Sequence, residues 1–77
     1  MDVVSYKGYQ IYAKTLQNLG EWTVAVEIRR HRNNKTRSRH FPNPDRHPTR
    51  KEAVAHCFTF GKQIIDGQAE NCAVRDL

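Results

Sequence analysis

The stretch EWTVAVEIRRHR, residues 21 to 32, constrains the fold of this chain more than any other. Trp22, Val24, Val26 and Ile28 alternate with Thr23, Ala25, Glu27 and Arg29, the period-two pattern of a strand with one face buried. Asn33-Asn34 follows, and asparagine tolerates the left-handed backbone that a tight hairpin turn demands. KTRSRHF then returns antiparallel. A two-residue turn places Arg32 opposite Lys35, Ile28 opposite Arg39, and Val26 opposite Phe41, so Phe41 joins the apolar face. A three-residue loop would turn Phe41 outward, because a one-residue slip moves every side chain to the other side of the sheet, so a two-residue loop or a four-residue one of the same parity is expected. The same register sets Arg30, Arg37 and Arg39 on the core side near the tip. They cannot be buried there unpaired, so the tip must reach beyond the covering layer into water.

The flanking sequence supplies that layer. YKGYQIYAKTLQ alternates, with Tyr9, Ile11 and Ala13 on one side and Gln10, Tyr12 and Lys14 on the other, and reads as one further strand. Asn18-Leu19-Gly20 closes a short hairpin loop. PNPDRHP is expected to end sheet pairing, since proline has no N–H and restricts the residue before it. TRKE is a capping box, Thr49 with Glu52. The helix that follows carries Val54, Cys57, Phe58, Gly61, Ile64 and Ile65 at helical spacing, widened by Ala53 and Phe60. Gly61 at mid-helix points to a close approach to the sheet, over Trp22 or Tyr9. Gly67 ends the helix as a left-handed cap, with Asp66 beside it as a structural residue. The expected fold class is α+β: a three-stranded antiparallel meander (β-β-β-α) with one C-terminal helix packed on one face. Residues 1–67 form a single domain, and 68–77 read as a flexible C-terminal tail. Seventy-seven residues leave no room for a second core.

Charge is distributed unevenly. Residues 29 to 51 carry nine of the thirteen Lys/Arg residues against one carboxylate, Asp45, a net +8, while the remainder carries −3. Such a positive end attracts polyanions at long range. Arg29, Arg30, Arg32, Lys35, Arg37 and Arg39 lie on or beside the hairpin tip, and Arg46, Arg50 and Lys51 on the connector and helix start. A hairpin gathers cations at the density that phosphate neutralisation needs. Arg50 and Lys51 also oppose the helix dipole, which hints at an anion nearby. The competing reading is a charged tip that keeps a small sheet soluble and discourages edge pairing.

Other chemistries find little support. The histidines His31, His40, His47 and His56 show no zinc spacing, and Cys57 and Cys72 no paired spacing, so neither a metal nor another cofactor is expected. Cys57 falls on the apolar helix stripe and reads as a small buried hydrophobe. Catalysis by a histidine would need a pocket and a positioned partner, so the chain reads as a non-enzyme with no small-molecule substrate. The outer sheet face offers Tyr12, Lys14, Thr23, Glu27, Arg29, Ser38 and His40. One tyrosine is a poor stacking platform, and Glu27 opposite His40 sets a negative charge in its middle. No apolar run is long enough to span a membrane, and MDVVSYKGYQ lacks a secretory pattern, so no membrane contact and a cytoplasmic location are expected.

The segments YKGYQI (Tyr6 to Ile11), Trp22, TRKEA (Thr49 to Ala53) and FGKQIIDG (Phe60 to Gly67) resemble a group of short bacterial proteins. These open on a tyrosine-glycine strand and close on a helix ending in isoleucine-aspartate-glycine. The resemblance covers residues 6 to 67 and implies a fold, without an activity. The topology is also similar to the three-strand-plus-helix DNA-binding domains of plant ethylene-response factors and integrase N-terminal arms, although their base-reading residues have no counterparts here. Two functions from different classes follow as expectations. One is a module that binds DNA or RNA mainly through phosphate contacts from the basic hairpin. The other is a protein-interaction or structural module, joining a protein partner or a second copy at a strand edge or through the apolar surface near Tyr6 and Tyr9.

Overall fold

The structure is a computed structural model that describes residues 2–69, 72–74 and 77. Its elements in order are β1 (Val3–Tyr6), β2 (Tyr9–Ala13), β3 (Gln17–Asn18), β4 (Glu21–Arg32), β5 (Lys35–His47) and α1 (Arg50–Ile65). All five strands form one antiparallel sheet. β5 follows β4 along one edge, from Trp22↔His47 to Arg32↔Lys35. β2 and β3 share the other edge, β3 beside Glu21 and Trp22, β2 beside residues 26 to 29. β1 then pairs with β2.

The class is α+β with one helix after an antiparallel sheet, but the strand count is five where three were expected. YKGYQIYAKTLQ is broken twice. Tyr6 pairs with Tyr9 around a turn in which Lys7 and Gly8 both take positive φ, 50° and 85°. Lysine is a weak turn signal, so the alternation masked the reversal. A second break at residues 14 to 16 separates β2 from β3, although Lys14 N–H still donates to Ala25 O and Thr23 N–H to Leu16 O.

PNPDRHP does not end sheet pairing either. Pairing runs past Ala25↔Pro42 and Val24↔Asn43, skips two residues of β5, and resumes at Thr23↔Arg46. An edge strand has N–H positions without a ladder partner, so proline is tolerated there and inside a bulge. The bulge is braced by Asp45 N–H donating to Asn43 Oδ1, 2.8 Å.

The core lies between the sheet and α1. Ile11, Val24, Val26 and Ile28 are fully buried, and Phe41, Ala53, Cys57, Phe60 and Ile64 close over them. Each large aliphatic side chain contributes on the order of 1.5–3 kcal/mol by leaving water. Thr49 caps the helix, its Oγ1 accepting from Glu52 N–H at 3.2 Å. Cys57 donates its S–H to Ala25 O, and burial pushes its thiol pKa up. Gly61 does mark a close approach, but to Ile11: a Cβ there would lie 2.5 Å from Ile11 Cγ2.

At the far end of α1, Asp66 accepts from Lys7 Nζ at 2.6 Å and from Tyr6 O–H at 2.8 Å. The Lys7 bond, with that of Tyr6, lowers the Asp66 pKa. Of residues 68–77, expected to be a flexible tail, 70, 71, 75 and 76 lie outside the described residues. Val74 is only 7% exposed and packs into the core, with Cys72 and Leu77 half-buried around it. Among the described residues, no helix is long and apolar enough to cross a membrane.

Candidate nucleic-acid interface

The hairpin register fixes where the cations point. Asn33 and Asn34 sit at φ 52° and 63°, a two-residue turn of the parity expected from the sequence, and Arg32 faces Lys35, Arg30 faces Arg37, and Ile28 faces Arg39. Side chains alternate across a strand. Arg30, Arg32, Lys35, Arg37 and Arg39 therefore all stand on the face that Val24, Val26, Ile28 and Phe41 occupy further down. β2 pairs β4 no further than Arg29, so the last rungs form a two-stranded arm. Arg32, Lys35, Arg37 and Arg39 are exposed and Arg30 is half-buried.

Two rungs of this arm place cation against cation, an arrangement that costs up to about 1 kcal/mol each. No carboxylate occurs in the sequence between Glu27 and Asp45. Arg30, Arg32, Asn33, Lys35 and Arg37 line a groove together with Leu77. Tyr9, which the sequence did not mark as part of this surface, anchors its base. The Arg30 guanidinium lies 5.1 Å from the Tyr9 ring centre and donates to its hydroxyl at 3.2 Å.

The remaining sequence-predicted residues lie elsewhere. Arg29 is on the outer face, ion-paired with Glu27 and stacked 4.3 Å from the Tyr12 ring centre. Its bond to Glu27 raises its pKa further. Arg46 is opposite Thr23, and Arg50 and Lys51 open α1, all at the other end of β4. The Thr23 and Arg32 rungs are nine residue steps apart along β4, roughly 30 Å at about 3.3 Å per step. Arg50 already has an anion, the Asp2 carboxylate, which accounts for a cation in the first helical turn. The nine candidate residues thus divide into a cluster of five, Arg29 on the outer face and a distant group of three.

The histidines do not converge on this surface. His31 Nδ1 shares a hydrogen bond with Thr36 Oγ1, 2.8 Å, and His40 faces Glu27 on the outer side. The His47 and His56 rings meet at 4.9 Å between centres, tilted by 47°, with His56 Nε2 3.2 Å from Asp45. Among the described residues, no group of three His, Cys, Asp or Glu side chains is placed to hold a metal.

The sequence also missed a contact from beyond the helix. Arg30 Nη1 donates to Leu77 O at 3.3 Å and Arg39 Nη1 to Ala73 O at 3.5 Å. A backbone carbonyl has no side-chain signature, and residues 68–77 show no period, so nothing in the pattern announced it.

A family model described as transcriptional activator HlyU matches residues 1–72, nearly the whole chain. No curated protein and no solved structure matches it.

Proposed function

The chain belongs to the HlyU family of transcriptional activators, and from that premise we propose that it binds duplex DNA through the core-side face of the β4–β5 tip. The observation that carries this reading is the set of five cations, Arg30, Arg32, Lys35, Arg37 and Arg39, on one face of one arm with no carboxylate among them. Only one helix occurs among the described residues, so a helix-turn-helix pair is not available to read bases. A two-stranded ribbon is the element that fits, since the major groove, about 12 Å wide, admits one. Arginine supplies bidentate contacts to phosphate, so affinity is expected to be electrostatic and largely independent of sequence. Work on DNA would place the protein in the cytoplasm.

The test is duplex binding followed by fluorescence anisotropy across a salt series. Five neutralised phosphates give a slope of log K against log salt of roughly −4 to −5. Replacing the five cations with alanine is expected to abolish most of that slope. Binding with no salt dependence, or no binding at low salt, would overturn the reading. A second reading rests on the edges of the sheet: β1 and β5 each pair with one strand only, which leaves a side for a second copy or a protein partner. Sedimentation that shows a concentration-dependent dimer, unchanged in the five-alanine variant, would favour it.

A further inference from the structure

The turn between β4 and β5 holds two asparagines, and the backbone gives a reason for each: both take positive φ, 52° and 63°, which asparagine tolerates. That reason does not extend to their side chains, since glycine meets the same requirement at least as well. Of the two, Asn33 is the one that lines the groove at the tip, beside Arg30, Arg32 and Lys35. It sits at the far end of the arm, directly after the Arg32↔Lys35 rung, and Arg32, Asn33 and Lys35 are all exposed.

Chemistry separates Asn33 from its neighbours. Arginine and lysine side chains donate hydrogen bonds and accept none, and a leucine side chain does neither. Among the described residues lining this groove, Asn33 alone has a side chain that both donates and accepts. Phosphate oxygens only accept, so cations meet the needs of a DNA backbone without a carboxamide. A carboxamide matches a group that presents one donor and one acceptor side by side. In the major groove adenine does so, with its N6 amino group and N7, whereas guanine presents two acceptors, O6 and N7, the pattern that suits arginine. The placement agrees with this match. Paired strands lie about 4.8 Å apart, so the backbone of the turn fits end-on into a groove about 12 Å wide. Arg32 and Lys35 then stand on either side of the turn, toward the two phosphate walls.

We propose that Asn33 is a specificity-determining residue that bonds the major-groove edge of adenine and gives the arm a preference for A·T base pairs where the turn meets the duplex. The proposal rests on the DNA-binding reading above and deepens it. The cations supply the affinity, and Asn33 adds discrimination of about tenfold, within the range of one bidentate base contact.

The experiment measures fluorescence anisotropy for the wild type, Asn33→Gly and Asn34→Gly. Both variants leave dipeptides that a hairpin turn accepts, Gly-Asn and Asn-Gly, so the arm is kept in each. Three duplexes of equal length, about two helical turns, are compared. One contains A·T pairs, one G·C pairs only, and the third carries 7-deazaadenine in place of adenine. That base lacks the N7 acceptor and leaves the minor groove unaltered, so it separates a major-groove contact from a response to duplex shape. Wild type and Asn34→Gly are expected to favour the adenine duplex about tenfold over the G·C duplex and several-fold over the 7-deazaadenine duplex. Asn33→Gly is expected to bind all three alike with the salt slope of the wild type. Retention of the preference by Asn33→Gly, or equal wild-type affinity for adenine and 7-deazaadenine duplexes, overturns the proposal. Failure of the wild type to bind any duplex at low salt overturns the DNA-binding reading itself, and the role of Asn33 with it.

Discussion

Gly61 and Ile11 show how a single residue sets the distance between the two layers. An alanine at Gly61 would gain about 1 kcal/mol in helix propensity. Its Cβ, however, would meet Ile11 Cγ2 at 2.5 Å, and Ile11 is fully buried with a stiff, β-branched side chain that cannot swing aside. Overpacking of this kind typically costs about 1–3 kcal/mol. Gly61→Ala is therefore expected to lower stability by up to about 2 kcal/mol in urea unfolding, and an increase would refute the close contact. Asp66 acts at the other end of the helix and makes stability depend on pH. Its bonds to Lys7 and Tyr6 hold its folded pKa below the unfolded value, so between those two values the unfolded chain binds the extra proton. The contribution is present above the ordinary carboxylate range and is lost as pH falls through the folded pKa. Asp66→Asn should flatten the acid limb of stability against pH. If the acid limbs of wild type and variant coincide, the clip contributes nothing.

The β4–β5 hairpin is where sequence and structure agree most closely. The pairs Arg32↔Lys35, Ile28↔Arg39 and Val26↔Phe41 all follow from the Asn33-Asn34 turn and the demand that Phe41 be buried. The arm nevertheless carries like charges on its rungs, which works against its own pairing. Lys35→Glu converts the Arg32 rung into an opposite-charge pair. This change is expected to stabilise the isolated protein by about 0.2–1 kcal/mol in low salt while weakening duplex binding. A thermal melt and an anisotropy titration on the same sample measure both, and loss of stability together with binding would argue against a cluster kept for function.

The whole molecule measures 41 × 26 × 16 Å, and two groups of basic residues lie at opposite ends of β4, the five on the arm and Arg46, Arg50 and Lys51. Arg46, Arg50 and Lys51 are expected to matter little for DNA affinity compared with the five on the arm. Alanine at all three should leave the salt slope within about one unit of wild type. A loss as large as that of the five-alanine variant would mean that the duplex lies along the full length of the protein.

Local patterning by itself determined an antiparallel sheet with a capped amphipathic helix after it, the hairpin register and the direction in which the arm's cations point. These follow from short-range rules: period two, period 3.6, and the backbone that Asn-Asn accepts. The Lys7-Gly8 reversal and the passage of β5 through Pro42 depended on which edge each strand presents, information that no single window of sequence holds. Only the tertiary structure decided that nine basic residues form separate groups, that Asp2 answers Arg50, and that residues beyond the helix lie on the basic face. Each of those is a contact across dozens of residues, made by a charge or a carbonyl whose partner the chain brings near only on folding.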